Sequence, residues 1–168
     1  MVIVKVRNKS GKNLGICFVI GWRKEEMFGP HLLLEGYGSP KEKLSDIGMI
    51  SELLDIFPKK LEMTKIMPPY VFKYDGGEVK DDWGISGVVL IAESHIALHT
   101  FPEKEFFTLD IFSCKEFDVR IAVDFALDFL LPVHFDETVI SRGREFPRSI
   151  GRAAKIVGQE RRRIASVK

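Results

Sequence analysis

The segment from residue 86 to residue 114 constrains the fold of this 168-residue chain most strongly. It opens with a continuous apolar run at residues 87–92, which is typical of a buried central strand. Residues 95–101 and 106–112 follow as two further predicted strands, and the four residues between them are short enough for a hairpin connection. Consecutive strands joined by short turns predict an antiparallel sheet in this part of the chain.

The other predicted elements surround this segment with strands and helices. Apolar residues at helical spacing predict one helix from Asp46 that Pro58 ends, and a second that Asp118 caps and Pro132 ends. Further strands are predicted at residues 2–7, 14–21, 31–37, 61–66, 70–74 and 134–140, the first two as a hairpin. This order predicts an α+β fold, an antiparallel sheet with the helices on one face.

Length and charge limit the class of protein. A chain of 168 residues with 45% hydrophobic content has apolar surface for one core, so we expect a single domain over residues 1–168. The net charge of +1 hides a basic tail, because residues 141–168 carry nine Lys or Arg against two Glu. Such a tail suits RNA, but we favour a solvated or salt-bridged helix against the acidic body and expect no nucleic-acid partner.

Cysteine usage and apolar runs bear on the cellular compartment. Cys17 and Cys114 lie far apart, which favours free thiols in a reducing cytoplasm over a disulfide. The apolar run at residues 15–22 lacks a signal-peptide cleavage site, and no stretch reaches the ~20 apolar residues of a membrane helix, so no membrane partner is expected. No spacing of His, Cys or acidic residues suggests a metal site, and no glycine-rich phosphate loop follows a strand.

Three residues of the central segment are candidates for chemistry: Ser94, His99 and Cys114. Each alone has an ordinary structural explanation, as a solvated serine, a half-exposed strand histidine and a small buried thiol. Along a regular strand Ser94 and His99 point to opposite faces, because their spacing is odd. Strand geometry therefore does not unite them unless the chain is distorted between Glu93 and Ser94.

The joint spacing of these residues resembles one known family. The segment is similar to the prokaryotic S-adenosylmethionine decarboxylase proenzymes, in which a GVSGVV strand precedes AESH, HTWPE and a D-x-F-x-C strand. The matching residues here are Gly84-Ile85-Ser86-Gly87, Ala92-Glu93-Ser94-His95, His99-Thr100-Phe101-Pro102-Glu103 and Asp110-Ile111-Phe112-Ser113-Cys114. A weaker match is GPHLLLEGY at residues 29–37, similar to the family's G-x-H-L-x-x-E strand.

The resemblance implies a fold and an assembly. The expected fold is a two-layer α/β sandwich, an antiparallel sheet with two helices on one face, to which residues 1–28 add an extra N-terminal hairpin and residues 141–168 a basic tail. The resemblance also implies a homodimer of processed protomers in which residues of both line each site.

The resemblance further implies self-cleavage between Glu93 and Ser94 into residues 1–93 and 94–168. The Ser94 hydroxyl attacks the Glu93 carbonyl, which requires a strained turn and donors for the oxyanion. Ser86 matches the serine that assists, and His99 matches the residue that removes the α-proton of Ser94. Residue 94 becomes a pyruvoyl group that forms a Schiff base with the substrate, and Cys114 matches the proton donor, so no pyridoxal phosphate and no metal are expected.

The implied substrate is S-adenosylmethionine, the precursor of the aminopropyl donor for spermidine. Phe101 stands where the family has an adenine-stacking Trp, Glu103 matches the glutamate expected on the ribose hydroxyls, and Glu35 is a further substrate-binding candidate. The second stacking aromatic is not at its expected place, and Trp83, Phe72 or Tyr74 are its possible replacements. A pyruvoyl arginine or ornithine decarboxylase and a non-catalytic regulatory homologue are the alternatives.

Overall fold

The computed structural model describes the backbone of residues 2–8 and 13–18 and the full structure of residues 29–142. The basic tail predicted at residues 141–168 therefore lies outside the described residues beyond Arg142.

Within these described residues, eight strands form one sheet, and every neighbouring pair is antiparallel. The order across the sheet is β2-β1-β8-β3-β7-β6-β5-β4. The strands are β1 Val2–Asn8, β2 Asn13–Phe18, β3 Gly29–Tyr37, β4 Tyr70–Tyr74, β5 Gly84–Ile91, β6 Ser94–Phe101, β7 Phe106–Ser113 and β8 His134–Arg142. The helices are α1 Lys41–Ser45, α2 Ile47–Lys60 and α3 Val119–Leu130, with single 3₁₀ turns at Lys80–Asp82 and Pro102–Lys104.

One face of the sheet is covered by helices, which confirms the predicted α+β sandwich. Alternate residues of β3, β5, β6 and β7 point into a single core together with the apolar faces of α2 and α3. The edge of the Phe57 ring meets the Phe125 ring at 4.9 Å between centroids and joins the two helices. No helix in the described part of the chain is long and apolar enough to cross a membrane.

The predicted helix ends are right in three cases, at Asp46, Asp118 and Pro132, and wrong in one. Asp118 caps α3 by accepting from the backbone N–H groups of Arg120 and Ile121, and Asp46 caps α2 by accepting from Met49. Pro58, however, lies inside the last turn of α2 and does not end the helix. A proline there removes only one intrahelical donor, and the chain continues to Lys60.

The strand predicted at residues 61–66 is also wrong. This segment makes only an isolated bridge between Lys65 and Ile91, although Leu61 and Met63 are buried. Its backbone still lies against β5, because the Ile66 N–H donates to the Leu90 carbonyl at 2.9 Å. The apolar residues that suggested a strand instead seal one end of the core.

The face of the sheet opposite the helices, which we call the open face, carries an unusual number of large apolar side chains. Four of them are 42% to 62% exposed: Tyr70, Phe72, Tyr74 and Leu90. Phe101, Phe106 and Phe112 lie on the same face by strand alternation. A solvated face of an antiparallel sheet is normally polar, so this composition is typical of a surface that is covered in the working assembly.

Candidate active site

The β5–β6 hairpin places the predicted cleavage bond in a tight turn. Ile91 pairs with Ser94, so only Ala92 and Glu93 form the loop. Two-residue hairpin loops normally take positive φ within the loop itself, where glycine or asparagine is favoured. Here the positive φ falls on Ser94 instead, at 151°, in a region that costs a non-glycine residue of the order of 1–3 kcal/mol. Backbone strain is therefore stored at the residue whose hydroxyl is predicted to react.

The carbonyl group of the same bond is held by a hydrogen-bond donor. The backbone N–H of Cys114 donates to the Glu93 carbonyl oxygen at 2.9 Å. This N–H comes from the residue after β7, directly beyond the Ser94–Ser113 pair. An N–H aimed at a carbonyl oxygen stabilises the negative charge that develops there when the carbonyl carbon is attacked.

The segment that follows α2 is hydrogen-bonded to both residues of the β5–β6 hairpin loop. The Ala92 N–H donates to the Thr64 carbonyl at 2.8 Å, and the Thr64 N–H donates to Glu93 Oε2 at 3.2 Å. The two residues of the loop are thus fixed through both backbone and side chain. This arrangement restricts how far the backbone between Glu93 and Ser94, the predicted cleavage site, can relax its strain.

The Ser94 hydroxyl contacts a residue that sequence reasoning did not assign to the site. Ser94 Oγ and His95 Nδ1 lie 3.0 Å apart. Successive residues of a strand normally point to opposite faces, so a contact between them was not expected. The positive φ of Ser94 breaks the alternation at this point and brings its hydroxyl to the side chain on the open face.

Ser86 and His99 form a second polar pair at the far end of the same hairpin. They are direct cross-strand partners in β5 and β6, and Ser86 Oγ lies 2.9 Å from His99 Nδ1. Both line a cavity of about 290 Å³ on the open face. Its remaining lining residues are Tyr74, Asp82, Gly84, Thr100 and Phe101.

The structure therefore divides the predicted site into two clusters. The processing cluster contains Glu93, Ser94, His95 and Cys114, and the pocket cluster contains Ser86, His99 and Phe101. Ser94 and His99 are five positions apart along β6, a distance of about 16 Å in an extended strand. His99 cannot reach the α-carbon of Ser94 within one copy of the chain.

Glu103 is already engaged by neighbouring side chains. Lys41 Nζ donates to both carboxylate oxygens at 2.6 Å, and Trp83 Nε1 donates to Oε1 at 3.0 Å. The hydrogen bonds from Lys41, and after them the one from Trp83, hold the pKa of Glu103 below its ordinary value. Glu103 borders the cavity end of β6 as a fixed anion, and Lys41 and Trp83 are the residues that fix it.

Glu35 lies on the open face of β3, two strands from His99. His99 of β6 pairs with Thr108 of β7, and Thr108 pairs with Glu35 of β3, so Glu35 lies about 10 Å from His99. Its Oε2 accepts from the Tyr37 hydroxyl at 3.1 Å, and burial of the phenol, with this bond and the carboxylate beside it, raises the pKa of Tyr37 to about 12. Among residues 29–142, no group of three His, Cys, Asp or Glu side chains is arranged to hold a metal ion.

Comparison with known proteins identifies the family. The model of the S-adenosylmethionine decarboxylase family matches residues 30–143, which span β3 to β8 and both clusters. The S-adenosylmethionine decarboxylase proenzyme of Pyrococcus horikoshii is 33% identical over 121 residues, 71% of this chain and 82% of that protein. The proenzyme of Aquifex aeolicus is 34% identical over 116 residues, 68% of this chain and 81% of that protein.

A solved structure agrees with the sequence relatives. The adenosylmethionine decarboxylase of Aquifex aeolicus superposes with a TM-score of 0.59 at 32% identity, covering 70% of this chain and 92% of that chain. The fold and the matched residues define a decarboxylase of the α+β sandwich class. The chain belongs to the S-adenosylmethionine decarboxylase family, which is generally pyruvoyl-dependent. Strands β1 and β2 precede the matched region.

Proposed function

We propose that this chain is a proenzyme that cuts itself between Glu93 and Ser94 and then decarboxylates S-adenosylmethionine for spermidine synthesis. One observation carries the proposal: a strained serine whose preceding carbonyl oxygen already accepts a hydrogen bond from the Cys114 amide. The products of the cut are residues 1–93 and residues 94–168.

The first step is an N-to-O acyl shift at Ser94. The hydroxyl oxygen attacks the Glu93 carbonyl carbon through a five-membered ring, and the Cys114 N–H stabilises the resulting oxyanion. When the C–N bond breaks, the constraint that holds Ser94 at φ 151° is released, so strain in the precursor favours the forward reaction. The product is an ester between Glu93 and the Ser94 side chain.

The second step removes the ester. A base takes the α-proton of residue 94, the Glu93 carboxylate leaves, and the dehydroalanine that remains takes up water and releases ammonia to give a pyruvoyl group. His99 is the proposed base for the α-proton, and Ser86, bonded to its Nδ1, fixes the orientation of the ring. The pyruvoyl carbonyl supplies the electron sink on which an α-amino acid loses carbon dioxide.

Cys114 is the proposed proton donor to the substrate carbon. Its side chain is exposed, and its own amide contacts the carbonyl next to residue 94, so the thiol lies beside the place where the reaction occurs. A thiol suits this role because it can donate a proton and recover it near neutral pH.

A second copy of the chain is required to complete this site. His99 and Ser94 lie about 16 Å apart in one copy, yet the mechanism needs them in contact. Two copies that face each other through their open faces, with β6 strands running in opposite directions, bring the pocket cluster of one to the processing cluster of the other. Two-fold symmetry then makes two equivalent sites, and the aromatic residues of the open face become buried.

The pocket cluster supports an adenine-containing substrate. Phe101 and Tyr74 both line the cavity, and two aromatic walls suit a flat purine between them. We therefore assign Tyr74 as the second stacking residue. Phe72 does not line the cavity, and the Trp83 indole is hydrogen-bonded to Glu103. An aromatic face also attracts a sulfonium cation.

Release of carbon dioxide from carboxyl-labelled S-adenosylmethionine, arginine and ornithine tests the proposal. We expect release from S-adenosylmethionine alone and none from a Ser94→Ala variant. Release from arginine or ornithine alone would assign the chain to the other decarboxylase class. A fully processed protein that acts on none of the three would favour the regulatory homologue.

A further inference from the structure

We propose that His95 is the catalytic base of the first processing step, the residue that takes the proton from the Ser94 hydroxyl. This inference rests on the proposed self-cleavage and adds to it a role separate from that of His99. It assigns the two proton transfers of processing to two different histidines.

The contact between the two residues is direct. Ser94 Oγ lies 3.0 Å from His95 Nδ1, within the 2.6–3.2 Å that proton transfer to a general base requires. In the tautomer with its proton on Nε2, His95 accepts the hydroxyl proton of Ser94 through Nδ1. The oxygen that must attack is therefore already hydrogen-bonded to a group that can deprotonate it.

The contact depends on the same distortion that strains the scissile bond. A serine in regular extended conformation would point to the helix-covered face, with Ile96 and Leu98, and away from His95. At φ 151° the Ser94 side chain instead meets the imidazole. The His95 ring is held against β7 by the edge of Phe112, with centroids 6.1 Å apart. One local conformation therefore supplies both the strain and the base.

His99 is not available for this step. It lies about 16 Å along β6 from Ser94 in the same copy, and its Nδ1 is bonded to Ser86. Even where a second copy supplies His99, the two steps require bases at different atoms of residue 94. The first needs a group at Oγ, and the second needs a group at the α-carbon.

All proton transfers of this step take place within the processing cluster. His95 Nδ1 takes the proton as the Ser94 Oγ–Glu93 C bond forms, and the carbonyl electrons move to the oxygen held by the Cys114 amide. When the intermediate collapses, the Glu93 C–Ser94 N bond breaks and the imidazolium returns the proton to the leaving amine. No oxidant, metal or further reactant is consumed.

Trapping of the ester separates this role from that of His99. In a His99→Ala precursor the shift proceeds but elimination does not, so saturating hydroxylamine cleaves the chain at Glu93 at a rate set by the shift. We expect the added substitution His95→Asn to lower that rate by roughly 100-fold or more, because the amide keeps a polar contact to Ser94 but cannot act as a base at neutral pH. His95→Ala in the same background should be equally slow.

The outcomes distinguish the two hypotheses. The role of His95 is overturned if an added His95→Asn or His95→Ala substitution does not slow the cleavage of the His99→Ala precursor by hydroxylamine. The proposed self-cleavage would still stand in that case. A His99→Ala precursor that hydroxylamine never cleaves, together with an uncut wild-type chain, would instead overturn the proposed self-cleavage. Thermal unfolding of each precursor, with melting temperatures within a few degrees of each other, verifies that the slow variants are folded.

Discussion

The backbone amide of Cys114 donates a 2.9 Å hydrogen bond to the carbonyl oxygen of Glu93. This bond ties the end of β7 to the peptide group that precedes Ser94. In the proposed mechanism Cys114 has two separable parts, an amide that acts on the precursor and a thiol that acts on the substrate of the processed enzyme. Substitution of the thiol alone, as in Cys114→Ala, should leave self-cleavage in place and lower decarboxylation.

Gly29 controls the position of the Cys114 amide. A Cβ at residue 29 would lie 1.8 Å from the Ser113 carbonyl oxygen and 2.8 Å from the Cys114 Cα, so the β7 end must move in Gly29→Ala. We expect the Gly29→Ala variant to cleave itself about 100-fold more slowly than the wild type, which is the effect of losing one oxyanion donor. Gel analysis of the cut and uncut chains over time measures this rate. Gly48→Ala is the matched control, since its Cβ meets only Asp46 Oδ1 at 3.2 Å; equal rates for the two variants would contradict the role of this amide.

A site built from two copies can be reconstituted from two inactive chains. Ser94→Ala and His99→Ala should each remain uncut alone. Co-expressed with different tags, they form mixed dimers that contain one complete site, made from Ser94 of one chain and His99 of the other. Statistical pairing predicts cleavage of about half of the His99→Ala chains and none of the Ser94→Ala chains. No cleavage of either chain in verified mixed dimers would exclude a shared site.

The two aromatic walls of the cavity should govern substrate affinity and not processing. Phe101→Ala and Tyr74→Ala should each raise KM for S-adenosylmethionine about tenfold, the effect of losing one stacking contact. Both proteins should still be cut between Glu93 and Ser94. Ile121→Ala, an exposed apolar residue on helix α3, is the control and should keep the wild-type KM. An unchanged KM in both aromatic variants would place the substrate elsewhere.

The ion pair between Lys41 and Glu103 sets a testable pH dependence. Because the folded pKa of Glu103 is lowered, its bonds to Lys41 and Trp83 are present above the ordinary glutamate pKa and are lost as pH falls through the lowered value. Lys41→Met should therefore move that loss to higher pH. Trp83 fluorescence in a Trp22→Phe background reports the transition. A midpoint unchanged by Lys41→Met would show that Lys41 does not hold the carboxylate.

Much of the fold could be predicted because the sequence carries local signals for it. Asp46 and Asp118 mark the starts of α2 and α3, and the alternation in β6 and β7 marks the buried face. The errors at Pro58 and at residues 61–66 have a common cause, because tertiary contacts decide both cases. A proline in the last turn of a helix looks the same in sequence as a proline that ends a helix. An apolar segment that covers one end of a core likewise looks the same as a strand.

The site could be predicted only in part. The joint spacing of Ser94, His99 and Cys114, with its resemblance to a known family, pointed to these residues. The period of a strand already implied that Ser94 and His99 do not meet in regular geometry. The Cys114 amide carries no sequence signal, because nearly every residue has one. His95 was missed because neighbours on a strand point apart unless the backbone is distorted, and the φ of Ser94 is a property of the folded hairpin.

The central claim is that the chain breaks itself between Glu93 and Ser94, and the intact mass of the purified protein tests it most directly. The account predicts two fragments, residues 1–93 and residues 94–168, the second starting with a ketone that blocks Edman degradation and reacts with a carbonyl reagent. Ser94→Ala should give a single full-length mass. A wild-type protein that remains full-length, reacts with no carbonyl reagent and still releases carbon dioxide from S-adenosylmethionine would contradict the account.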